Sequence, residues 1–231
     1  QMQLSALPAD QSDLIKNLKF KFSKAEDDSL KSKAAHELAH AWKDLGQMAL
    51  EAYYHYEAAL VEKDSKALEE TGDSFFSQFR ISQDTLIKNN LSIFALRSYE
   101  AALKLQPDNT DLKVKTGSAY MEGSSEPMKG ITLIREVLAV KPNNVPALLT
   151  LGRFSILSGQ YDKAKERLDE VLKLEPGNAE AIYFMAITQE GLGNIDKAIE
   201  LLEICKQIVG NTDFDKEVNA YIENLKNKKN K

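Results

Sequence analysis

The string His36-Glu37-Leu38-Ala39-His40 is where residue type and spacing come nearest to a catalytic site. Residues four apart share one helix face, so two imidazoles could ligate one metal ion while the glutamate between them acts as general base on a bound water. Metal-assisted hydrolysis also needs a third protein ligand and an open coordination position. The continuation Ala41-Trp42-Lys43-Asp44-Leu45-Gly46 brings no third histidine. His55 is the only other histidine and falls on the following helix, and no spacing singles out Glu57, Glu62 or Glu69 as a ligand. Only 35 residues precede the motif, too few to build a catalytic domain ahead of it. The expectation is no catalytic residue, no cofactor and no dedicated metal ion, with His36 and His40 as weak candidates for an incidental one.

Other chemistry is sparse. The lone Cys205 permits no intrachain disulfide and stands in a small-residue core slot, and glycine-rich phosphate loops and CxxC pairs are absent. A net charge of −5 with acidic and basic residues intermixed argues against nucleic acid, which needs a basic face. The acidic run Glu26-Asp27-Asp28 reads as a helix cap or linker, and Lys226–Lys231 as a solvated tail. No apolar run reaches the roughly 18–20 residues of a membrane span. The opening Gln1-Met2-Gln3 suggests a processed or truncated chain, with a signal or anchor expected upstream.

The elements that must position these residues recur along the chain. Pro107, Pro142 and Pro176 are spaced 35 and 34 residues apart, each between the end of one apolar-periodic run and the start of the next. Proline stops a helix, and the asparagines and glycines beside it suit the turn. The clearest unit, Val145 to Asn178, carries Leu148, Leu151 and Gly152 in its first helix, a turn at Ser158-Gly159-Gln160-Tyr161, and Ala164, Leu168 and Val171 in its second. The unit from Ala179 to Thr212 repeats it, with Met185-Ala186, Gly193-Asn194-Ile195, Ala198, Leu202 and Cys205 in the same slots. Gly152 and Ala164 are small where two antiparallel helices approach closely.

This pattern resembles the tetratricopeptide-repeat (TPR) family. The resemblance implies an all-α, right-handed superhelical solenoid of helix pairs. The expected organisation is an N-terminal helix and linker over 1–32, five units over 33–65, 66–109, 110–144, 145–178 and 179–212, and a capping helix with a basic tail over 213–231. The second unit holds about ten residues beyond the period of about 34. The surplus falls near Arg80–Asn90, where the lack of Gly and Pro predicts a lengthened helix pair. In this register Leu38 and Ala39 take the slots of Leu151 and Gly152, so the histidine string belongs to an ordinary first helix. More loosely, the layout is similar to bacterial envelope TPR proteins with one N-terminal membrane anchor. That likeness implies an envelope location, inner-membrane anchored or periplasmic, with the anchor outside the sequence.

TPR first helices line a concave face, which makes Lys115, Leu149, Arg153, Ile156, Tyr183 and Ile187 the expected groove residues for a peptide or protein partner. The same register adds His36, His40, Lys43, Glu69, Asp73 and Phe76, with Ala119, Glu122 and Glu190. Leu149, Ile156, Tyr183 and Ile187 place apolar surface on a face otherwise polar, as partner sites do. The slot where a chaperone-type carboxylate clamp places asparagine holds His40, Asp73, Ala119, Arg153 and Ile187, so no such clamp is expected. The function implied is a non-catalytic interaction scaffold. The alternatives are a small zinc hydrolase at His36-Glu37-His40 and a self-assembling structural protein.

Overall fold

The computed structural model describes residues 4 and 7–229, and the chain divides into two compact units, 1–127 and 128–231. The first unit holds α1 (Ala9–Lys24), α2 (Asp28–Asp44), α3 (Met48–Glu62), α4 (Ser65–Ile81), α5 (Thr85–Leu105) and α6 (Thr110–Gly123). The second holds α7 (Pro127–Val140), α8 (Val145–Leu157), α9 (Tyr161–Leu174), α10 (Ala179–Gly191), α11 (Ile195–Val209) and α12 (Thr212–Lys229). No strand occurs among the described residues, and none of their helices is long and apolar enough to cross a membrane.

Local chemistry sets the helix ends. Each marker proline is followed two residues later by an asparagine whose side chain caps the next helix. Asn144 Oδ1 accepts from the Ala147 N–H and Asn178 Oδ1 from the Ala181 N–H, both at 2.9 Å. Asn109 does the same for Asp111 and Leu112 at 3.0 and 3.2 Å. Proline ends one helix and asparagine satisfies an orphan donor of the next, which is why the pair recurs at the repeat period. Turns within helix pairs rest on glycine in the left-handed region, at φ 69° for Gly159 and 81° for Gly193. Asp27 caps α2, accepting from the Leu30 N–H at 2.7 Å, so α2 begins at Asp28, ahead of the Lys33 expected from the repeat register.

Consecutive helices pack as hairpins, α2 on α3 and α4 on α5 in the first unit, α8 on α9 and α10 on α11 in the second. The close approach at Gly152 is real: a Cβ there would lie 3.2 Å from Leu168 Cδ2. The surplus of the second repeat is spent on helix, with α4 running 17 residues, α5 21, and only Ser82–Asp84 between them. Phe75, Phe76, Phe79, Leu91, Ala95 and Tyr99 fill the seam of that long pair. At the other end of the chain α12 buries Val218, Ile222 and Leu225 on α10 and α11, covering the apolar edge of the last repeat. The lysines expected to form a frayed tail are helical through Lys229. Lys228 pairs with Glu190 at 2.6 Å and Lys229 with Asp196 at 2.6 Å, while residues 230 and 231 lie outside the described residues.

Candidate functional site

Within the second unit, α8 and α10 each carry a stripe at i, i+4, i+7 spacing. Leu149, Arg153 and Ile156 form one, and Tyr183, Ile187 and Glu190 the other. All six are half-buried, while the faces turned into the hairpins are buried at Leu148, Leu151, Gly152, Ala181, Met185 and Ala186. The sequence places the stripes this way because 3.6 residues per turn set them about a quarter-turn from the seam. Leu149 and Ile156 pack at the margin of the core formed by Leu148, Leu168, Val171 and Met185. The Arg153 guanidinium lies 5.9 Å from the Phe184 ring. Tyr183 meets Phe184 and Phe214 of α12 at centroid distances of 6.2 Å. Glu190 is occupied: it accepts from the Tyr221 hydroxyl and from Lys228, which hold its carboxyl below the usual range against the opposing effect of burial. What α8 and α10 present is therefore mainly apolar, with one guanidinium.

Lys115 has a different environment. Its Nζ donates to Glu69 Oε1 at 2.6 Å and to Asp73 Oδ2 at 2.7 Å, tying α6 to α4. Burial works to lower its pKa, but the two carboxylates outweigh it and raise the value. Asp73 also accepts from the buried Tyr99 hydroxyl at 2.8 Å, and Arg80 reaches Glu122 at 2.9 Å across the same helices. The expected groove cation is the bridge of an internal network. Two further groove assignments in α4 and α6 differ from the expectation: Phe76 and Ala119 are 7% and 1% exposed and belong to the α4–α5 core.

The three histidines come together at the α2–α3 hairpin. The His55 ring lies 5.8 Å from His36 and 6.3 Å from His40, centroid to centroid. His36 Nε2 is 3.0 Å from Glu62 Oε1, which also accepts from the Ser32 hydroxyl, and His55 Nε2 is 4.0 Å from Glu51 Oε1. The second-helix neighbour that the string lacked is thus supplied by α3. As the side chains stand, no three His, Cys, Asp or Glu among the described residues are arranged to hold a metal ion. Glu37 faces Lys21 at 3.9 Å.

Burial, followed by the charge of His36, pushes the His55 pKa below its ordinary value. Glu51 opposes this, and His40 and Lys43 add to it. A histidine depressed in the folded state binds its proton more readily when unfolded, so stability rises with pH across the gap between the two values. The contribution is complete above the unfolded value of about 6.5 and is lost as pH falls through the depressed folded value. We therefore expect the urea midpoint to fall as pH drops below about 6.5 and His55→Gln to flatten that slope. Equal slopes in both proteins would remove His55 as the cause. Glu62, held low first by Ser32 and then by His36, titrates below this window.

Two residues behave more simply than their types suggest. Cys205 is buried, donates to the Ala179 carbonyl at 3.4 Å and has its thiol pKa raised by burial, as a core residue would. Tyr54 of α3 is 7% exposed, with its ring edge-on to Phe22 of α1 at a centroid distance of 5.7 Å.

Residues 129–173 and 155–204 match the tetratricopeptide-repeat family model. The chain is 30% identical over 148 residues to cellulose synthase operon protein C of Pseudomonas fluorescens (strain SBW25), covering 62% of this chain and 12% of that relative. The chain thus spans about an eighth of that relative's length. Among solved structures, TTC0263, described as a thermophilic TPR protein in Thermus thermophilus, aligns with a TM-score of 0.58 at 17% identity over 82% of this chain and 97% of that one. YrrB, described as a TPR protein with an unusual peptide-binding site, aligns with a TM-score of 0.50 at 16% identity over 90% of this chain and 97% of that one. Helix pairs joined by glycine turns, Pro-x-Asn junctions at the repeat period and these matches agree: the chain has the helix-pair fold of tetratricopeptide-repeat proteins, and residues 129–204 match that family's model.

Proposed function

We propose that this chain is a non-catalytic scaffold that holds a peptide or protein segment on the inner face of its repeats, centred on Leu149, Arg153, Ile156, Tyr183 and Ile187. The observation that carries the reading is the pair of matched stripes on α8 and α10, half-buried and apolar around a single guanidinium. Such a surface can bury aliphatic side chains of a partner, while Arg153 orients a carboxylate or backbone carbonyl. The peptide-binding site named for YrrB supports this use of the fold. Lys115 contributes to the framework through Glu69 and Asp73 rather than as a free contact. The likeness in layout to anchored envelope proteins makes the bacterial envelope the first place to seek the partner.

The test is chemical crosslinking followed by affinity capture from the source cell's extract. The wild-type chain should recover a defined partner, and Arg153→Glu combined with Tyr183→Ala should cut recovery about tenfold with helicity unchanged, since hot-spot losses of this kind cost roughly 1–2 kcal/mol or more. Equal recovery by the double variant would move the site off α8 and α10.

A further inference from the structure

Within the first unit, a hollow lies where α1 meets the start of α2. Phe20, Lys24 and Ala25 form one wall, and Leu30, Lys33 and Ala34 the other, around a cleft of about 410 Å³. Phe20 and Leu30 are 64% and 53% exposed, an unusual condition for two large apolar side chains facing one hollow. Neighbouring lysines are engaged: Lys19 lies over Trp42, Lys31 over Phe22, and Lys21 faces Glu37. Lys24 and Lys33 are exposed and have no hydrogen-bond or ion-pair partner among the described residues.

We infer that this cleft is a docking site for a short acidic segment of another protein, with one bulky apolar side chain seated between Phe20 and Leu30 and carboxylates reaching Lys24 and Lys33. Charge complementarity selects this occupant. The cleft's lining holds three lysines, Lys21, Lys24 and Lys33, against one carboxylate, Glu37, so a neutral or basic segment would leave two ammonium groups unanswered. Residues 1–6 of this chain, Gln-Met-Gln-Leu-Ser-Ala, carry no carboxylate and do not supply the complement. An anionic bilayer fits less well. The apolar groups sit inside a hollow rather than on a continuous helix face, and Asp10, Asp13, Glu26, Asp27 and Asp28 on the same two helices and the turn between them would meet lipid headgroups of like charge. A peptide inserted into the cleft need not approach them.

The experiment pans a library of displayed random peptides on the whole chain and, in parallel, on Lys24→Glu/Lys33→Glu and on Phe20→Ser. All three positions are exposed, and unchanged urea curves would show that the fold is kept. The expected result is enrichment of peptides with one aromatic or leucine side chain among aspartates and glutamates. Their affinity should fall about tenfold or more on each variant, and for the wild type it should weaken as salt rises from about 0.05 to 0.5 M. Enrichment without acidic residues, equal binding to the variants, or no enrichment would overturn the inference. So would binding confined to vesicles of phosphatidylglycerol and phosphatidylcholine, which would assign the lysines to a lipid surface. None of these outcomes bears on Arg153 or Tyr183, so this site and the repeat face stand or fall separately.

Discussion

Trp42→Ala is expected to destabilise the first unit by about 3–5 kcal/mol, the range for removing a fully buried large aromatic side chain. Trp42 is 1% exposed and packs with Ile15, Leu18, Leu38, Ala39 and Tyr54, so it joins α1, α2 and α3 in one core. Against a typical domain stability of roughly 5–15 kcal/mol, such a loss brings this end of the chain close to unfolding at ordinary temperature. The indole Nε1 is buried without a hydrogen-bond partner among the described residues. Trp42→Phe therefore loses ring volume but also removes an unsatisfied donor, and should cost clearly less than the alanine variant. Urea unfolding followed by far-ultraviolet circular dichroism measures both, since the chain's only tryptophan is the residue removed. A cost for Trp42→Ala below about 1 kcal/mol would mean that α1 does not cover Trp42 as described. Because helical repeats are coupled mainly to neighbours, the curve should broaden as the α1–α3 end melts ahead of the rest.

The second large effect is expected at Gly72. A Cβ at this position would stand 2.6 Å from two ring atoms of Tyr99, a distance that real contacts do not reach. The ring has little room to withdraw: Tyr99 is 1% exposed and its hydroxyl is held by Asp73. Alanine in place of a helical glycine gains about 1 kcal/mol of backbone propensity, while overpacking a closed core costs about 1–3 kcal/mol. The net expectation for Gly72→Ala is a loss of up to about 2 kcal/mol, with bulkier residues worse. Gly191 is the control. A Cβ there would come within 2.3 Å of the Tyr161 ring, yet Gly191 is exposed and Tyr161 only half-buried, so that ring can swing into solvent. Gly191→Ala should be close to neutral although its nominal clash is the tighter one. Adding Tyr99→Leu to Gly72→Ala should cost less than the sum of the two changes, because the ring that clashes is gone. Strict additivity would show that the close approach is relieved elsewhere.

The repeat architecture was legible because its signals are local. Pro142 and Asn144 act on helices that begin and end within a few residues of them, and Gly159 sets its own turn through its own φ. Gly152 and Ala164 reveal the close approach because small residues recur at the same slot in each pair. What the repeat register supplies is the direction a side chain leaves its helix. It does not supply what other helices place in its path. Lys115 points where a groove cation should, but Glu69 and Asp73, 46 and 42 residues earlier, reach it first. Phe76 and Ala119 lie on first helices yet enter the core of the long α4–α5 pair, and Tyr54 is buried because α1 lies over it.

The histidine string shows the same division. The sequence alone determined that His36 and His40 share a face of an ordinary repeat helix and that no third ligand follows on that helix. Only the tertiary structure brought His55 against both of them and gave His36 its carboxylate partner, Glu62, from 26 residues away. It also formed the cleft in which Phe20 and Leu30 face each other beside Lys24 and Lys33. The physical reason is range. Capping, turn chemistry and helix periodicity act over a few residues and are written in sequence order, whereas ion pairs, aromatic contacts and hollows depend on which helix the folded chain lays beside which.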